Sequence, residues 1–134
     1  MSAGFKTPLI IEVVGNRMYK LHEELIYESD NGDTYTVPKD FEVDLASTWG
    51  IPVVSEKLDG LGAMSASLHD YCYRTGCVPR KTADNLFYEA LYWESTYYQI
   101  KGNPGMDDKT RWAFWAGVRV GGASSYKGKE EWNT

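Results

Sequence analysis

The sequence predicts an α+β domain, with short antiparallel strands in its N-terminal half and helices in its C-terminal half. Three observations predict it. Residues 9–44 carry alternating and β-branched apolar runs cut by turn residues. Residues 61–122 carry apolar residues at helical spacing. The two patterns are segregated along the chain rather than interleaved, which favours α+β over a β/α sheet. At 134 residues the chain has a one-domain length (1–134) and can bury a modest core without staples.

The strands come first. Leu9 to Val14 is an apolar run broken only by Glu12, and it reads as a well-buried strand. Gly15-Asn16 is a turn signal, after which residues 17–21 alternate polar and apolar. Leu25 to Glu28 and Thr34 to Val37 flank Asn31-Gly32, a hairpin signal, because a type I′ turn needs φ > 0 at both central residues. Pro38 ends the second arm, having no N–H for a ladder. Residues 41–44 make a last short strand, and the whole reads as one small sheet. Residues 45–60, with Gly50 and Pro52, read as an irregular connector.

Three helices follow. Leu61, Met64, Leu68, Tyr71 and Cys72 mark the first, over about 61–75, with Gly76 as its C-cap. Ala83, Leu86, Phe87, Ala90 and Leu91 form the stripe of the second, over about 80–99 after Pro79. The third begins at Asp107-Asp108, whose carboxylates suit a helix N-terminus, and runs to Gly121-Gly122. The tail, 123–134, is polar apart from Tyr126 and Trp132 and reads as loose unless a partner holds it.

Composition excludes several classes. A net charge of −5 argues against nucleic-acid binding, which needs a basic face. No run approaches the length of a membrane-spanning helix, so no transmembrane segment is expected. The N-terminus, with one Lys and an apolar run broken by Glu12, makes a poor signal peptide. Two cysteines are too few for a secreted disulfide scaffold, and reduced thiols are expected. Aromatics reach 14%, with Trp93, Trp112, Phe114 and Trp115 read as one cluster. With Tyr88, Tyr92, Tyr97 and Tyr98 they exceed what so small a core needs. Some are expected to face a protein partner, another copy of the chain, or lipid.

The chemistry concentrates on the first two helices. His69 and Tyr73 are four residues apart and share a face, while Asp70 points about 100° away. If the two helices pack antiparallel, Asp84 approaches His69. A carboxylate accepting one imidazole N–H fixes the tautomer and leaves the other nitrogen as a base. Asp70, with help from Asp44, would then hold a hard cation such as calcium, which takes oxygen ligands and stabilises an oxyanion. The same residues also fit a buried polar cluster that only ties two helices together. Asp44 and Ser47 fit a helix or turn cap equally well. Cys72 lies three residues from His69 and reads either as a nucleophile or, more ordinarily, as a buried apolar thiol. Two Cys and two His are too few for a standard zinc site, and His22 reads as structural.

These residues carry two resemblances. Val37-Pro38-Lys39-Asp40-Phe41-Glu42-Val43-Asp44-Leu45-Ala46-Ser47, then His69-Asp70-Tyr71-Cys72-Tyr73, then Ala83-Asp84-Asn85-Leu86-Phe87 resemble, in order, the motifs of a family of short tailed-bacteriophage proteins of unassigned function. That resemblance covers about residues 19–120, and departs at 48–52, where the family commonly has a Pro two residues after the Ser. It implies a virion- or lysis-associated protein, found in the virion or host cytoplasm, with other virion proteins as partners. Over 68–87 the chain also resembles the calcium-dependent phospholipase A2 group. That likeness implies His69 as base, Asp84 as the residue that orients it, Tyr73 as a tether and Asp70 on calcium. An envelope lipid or ester would be the substrate. The group's glycine-rich calcium loop and its disulfides have no clear counterpart here. Two readings therefore stand: a metal-dependent hydrolase, or a non-catalytic tail or neck accessory protein.

Overall fold

A computed structural model describes residues 3–15, 18–44, 61–102 and 104–134. Among them are six strands, β1 Gly4–Phe5, β2 Ile11–Gly15, β3 Met18–Leu21, β4 Leu25–Glu28, β5 Thr34–Val37 and β6 Glu42–Asp44. Three helices follow, α1 Ala63–Thr75, α2 Arg80–Ile100 and α3 Asp108–Gly121. The architecture is α+β, with the strands confined to the N-terminal half. The irregular connector expected over 45–60 lies outside the described residues, as does the cap expected at Ser47.

The strands form two three-stranded antiparallel sheets, ordered β1-β4-β5 and β2-β3-β6, where the sequence suggested one. The division comes from long-range pairing: Gly4 lies opposite Glu28, and Tyr19 opposite Val43. The run Leu9 to Val14 is not the buried strand expected. Among the described residues β2 pairs only with β3, which makes it an edge of its sheet, and Val13 is 74% exposed. The β4–β5 hairpin forms, but Asn31 keeps a negative φ and only Gly32, at +92°, is left-handed. The turn is therefore not type I′. Instead, Ser29 N–H donates to Asp33 O at 2.8 Å and Asn31 Oδ1 accepts the Asp33 N–H at 3.0 Å.

α1 runs through the centre of the fold. Leu21, Leu25, Tyr27, Val37 and Val43 from the two sheets share a core with its Met64, Leu68 and Cys72 and with Ala83, Leu86 and Ala90 of α2. A second cluster joins Ala66 of α1 to Phe87 and Leu91 of α2 and to Phe114 and Val118 of α3. The small residues Ala63, Ser65, Ala66 and Ser67 are all buried, which is how a helix short of large apolar side chains tolerates close neighbours. Each fully buried Leu contributes about 1.5–3 kcal/mol of burial free energy.

α1 stops at Gly76, whose φ of +61° suits glycine, and its N–H donates to Cys72 O. Asp107 caps α3 by accepting the Thr110 N–H at 2.8 Å. α2 holds the β4–β5 turn: Glu89 accepts from Tyr27 Oη at 2.5 Å and from Asp30 N–H, while Trp93 Nε1–H donates to Asp30. The tail is docked by its own chain. Tyr126 is buried and donates its hydroxyl to Val78 O, Lys127 N–H donates to Tyr73 O, and Trp132 packs on the core. The aromatics do not form one cluster. Phe114 faces Phe87, Trp115 lies near Tyr88, Trp93 meets Tyr92, and Trp112 is mainly exposed.

Candidate functional site

α1 and α2 converge on a buried polar centre. His69 Nε2 lies 2.7 Å from Asp84 Oδ1, and Tyr73 Oη–H donates to the same oxygen at 2.6 Å. The i, i+4 spacing of His69 and Tyr73 puts both on the α1 face that meets the first turns of α2. The imidazole packs against the Tyr73 and Phe87 rings, with centroids 4.1 and 4.8 Å away. His69 is 4% exposed and Asp84 is fully buried.

Two arginines complete the centre. Arg119 of α3 donates Nη1–H to Asp84 Oδ2 at 2.7 Å, and Arg80 Nη1 lies 3.6 Å from the same oxygen. Arg119 also donates Nη2–H to the main-chain oxygen of Thr134, so the docked tail closes over it. Burial pushes the Asp84 carboxyl up. The hydrogen bonds from His69 and Tyr73, the imidazole beside it and Arg119 outweigh that and hold it below the usual carboxylate range. It is an anion at neutral pH, and burial beside it pushes the Tyr73 phenol well above its usual range. An ionised Asp84 can only accept, so Nε2 is the ring nitrogen that donates to it. Among the described residues none hydrogen-bonds Nδ1.

Asp70 does not join this centre. Its Oδ2 accepts the Asp44 N–H of β6 at 3.0 Å and faces Arg74 Nη1 at 3.2 Å. Burial raises its pKa against those two donors, and the Asp44 carboxylate also raises it. A guanidinium and an amide N–H are donors, whereas calcium needs oxygen ligands. Among the described residues no group of three or more His, Cys, Asp or Glu side chains is placed to hold a metal ion. Among the described residues, the groups that meet Asp70 Oδ2 are thus hydrogen-bond donors and not oxygen ligands. Cys72 is wholly buried, and His22 stands exposed at the end of β3.

Three partners escaped sequence reasoning. Arg80 sits four residues before Asp84, a spacing that signals an ion pair. Arg119 is 35 residues away and left no local signal. Glu94 falls on the apolar stripe of α2, four residues after Ala90, and that placement was the available clue. It is fully buried and accepts the N–H groups of Gly62, Met64 and Ser65 at 2.9–3.2 Å, together with the Ser65 hydroxyl. These are the orphan donors of the α1 N-terminus.

A model of the family described as "Protein of unknown function (DUF1353)" matches residues 19–118, from β3 through nearly all of α3. The chain belongs to this family. The matched stretch holds His69, Tyr73 and Asp84 as well as Asp44 and Asp70. No curated protein and no solved structure matches the chain.

Proposed function

We propose that this DUF1353 member is a bacteriophage-encoded, virion- or lysis-associated protein whose His69 acts as general base in hydrolysing an ester of the cell envelope. The observation that carries the reading is the 2.7 Å His69–Asp84 contact, with Tyr73 on the same carboxylate oxygen. Asp84 accepts a hydrogen bond from Nε2–H and orients the ring, and Nδ1 takes a proton from the attacking water. The local likeness to the phospholipase A2 helices supports a phospholipid substrate. Exposed Tyr92, Trp112, Ile100 and Val120 on α2 and α3 support contact with lipid or another protein. The motif resemblance to tailed-phage proteins supports action in the virion or host cytoplasm.

A second reading, a non-catalytic tail or neck component, is favoured by the near-complete burial of His69 and by the four partners that share Asp84. The test follows release of fatty acid from phospholipid vesicles, and of aryl ester from a soluble substrate, by the wild type and His69→Gln. The base reading expects hydrolysis that falls by about 10²-fold or more in a variant with unchanged circular dichroism. A folded wild type inert on both substrates leaves the assembly reading. The donors around Asp70 predict equal rates with calcium and with a chelator.

A further inference from the structure

Arg80 and Arg119 reach Asp84 from two different helices, and together they leave a buried donor unsatisfied. Arg119 Nη1 lies 2.7 Å from Asp84 Oδ2 and Arg80 Nη1 lies 3.6 Å from the same oxygen, so the two guanidinium groups are neighbours. Arg80 is loosely held. Its Nη1–H bond to Arg119 O is 3.5 Å long, and its Nε, a buried atom, has no partner among the described residues. The side chain is only 8% exposed. A buried guanidinium is ordinarily met along its fork by an anion that accepts two N–H bonds at once. Asp84 does not do this for Arg80, because its Oδ1 is taken by His69 and Tyr73 and its Oδ2 by Arg119.

We propose that Arg80 and Arg119 form a binding site for the phosphoryl group of a phosphate ester, with Arg80 Nε–H as the inner donor and Arg119 as the outer one. Among the described side chains, Asp84 supplies one negative charge against two guanidinium charges, and a phosphate ester supplies the balance. A phosphoryl group carries oxygens in several directions, so it accepts from two forks that approach from separate helices, whereas a carboxylate offers one plane. The site does not depend on His69 acting as a base.

The end of the tail covers this corner, and it fits there imperfectly. Arg119 is 22% exposed against 8% for Arg80, so a ligand meets Arg119 first. The main-chain oxygen of Thr134 takes the Arg119 Nη2–H at 2.8 Å, and Asn133 Nδ2–H donates to Ala123 O at 3.0 Å, just past the end of α3. Asn133 Oδ1 is buried with no partner among the described residues, the acceptor counterpart of the orphaned Arg80 Nε. A phosphoryl oxygen would take the Arg119 N–H that Thr134 now holds. The tail would stay anchored upstream, by Tyr126 on Val78 O and Lys127 N–H on Tyr73 O.

The test titrates the full-length chain with inorganic phosphate and with glycerol phosphate, at neutral pH and constant ionic strength, and follows the Arg80 Nε–H resonance by proton–nitrogen correlation. The proposal expects a saturable shift with both and none with acetate. Arg80→Lys keeps the charge but has no Nε–H, and it should bind phosphate about tenfold more weakly with unchanged circular dichroism. Cosedimentation with phosphatidylglycerol vesicles that glycerol phosphate reverses assigns the site to a lipid headgroup. Glycerol phosphate binding without cosedimentation assigns it to a soluble ester. An Arg80 Nε–H that phosphate does not move, or that acetate moves as far, overturns the proposal, and so does an Arg80→Lys variant that binds as tightly as wild type. These readings report binding alone, so they stand or fall separately from ester hydrolysis by His69.

Discussion

Asp84 and Glu94 lie on the same helix, both fully buried and both turned toward α1, yet they are built for opposite charge behaviour. Asp84 is met by an imidazole, a phenol and two guanidinium groups. Among the described residues Glu94 is met only by neutral donors, three backbone N–H groups and the Ser65 hydroxyl. Burial raises both carboxyls. At Asp84 the neighbouring donors and cations win and the pKa falls, while at Glu94 burial wins and the pKa rises. A buried carboxylate can thus serve as a charged hub or as a neutral-partnered cap, and its neighbours decide which.

Asp84→Asn is the largest expected break. It leaves Arg119 and Arg80 facing an uncharged amide in a buried site, at a cost of about 3–5 kcal/mol measured by denaturant unfolding. Glu94→Ala comes next, at about 1–3 kcal/mol, because it orphans the first N–H groups of α1. Amide exchange at Met64 and Ser65 should quicken in that variant while the end of α2 stays protected. Tyr73→Phe removes one donor from a carboxylate that keeps three partners, and about 1.5 kcal/mol is expected. Tyr126→Phe removes the bond to Val78 O, costs about 1 kcal/mol, and should loosen the tail first, seen as faster exchange at Lys127.

The two carboxyls also predict opposite pH dependence. The Asp84 contribution is present above the unfolded carboxyl range, near pH 4, and is lost as pH falls through its lowered folded value. The penalty of Asp84→Asn should therefore shrink on acidification. Glu94 binds its proton more tightly when folded, so its contribution is fully present below the ordinary Glu value and is lost as pH rises through the raised one. The penalty of Glu94→Gln should shrink as pH rises from 4 towards 7. Parallel slopes in the two variants would erase the distinction.

What the sequence made legible follows range. The helices and their ends were readable because caps and stripes are local: Gly76, Pro79 and Asp107 fall at the observed boundaries. The His69–Asp84 approach was readable because a short connection between two helices leaves few ways to pack them. The split into two sheets was not, since β1 pairs with β4 and β3 with β6 across other elements. The exposure of β2 was hidden for the same reason, because hydrophobicity does not say which strand lies at an edge. Arg119 reaches Asp84 only through the α2–α3 packing, and Asp70 turned toward Arg74, its own i+4 neighbour. The docking of the tail hinged on Tyr126 and Trp132, two aromatics in a polar stretch.

The most direct test is the position of the proton on His69. Long-range proton–nitrogen correlation of the neutral imidazole should show Nε2 protonated and Nδ1 bare in the wild type, with that preference weakened in Asp84→Asn. A ring protonated at Nδ1, or one that ignores the loss of the Asp84 charge, would contradict the oriented base on which the functional reading stands.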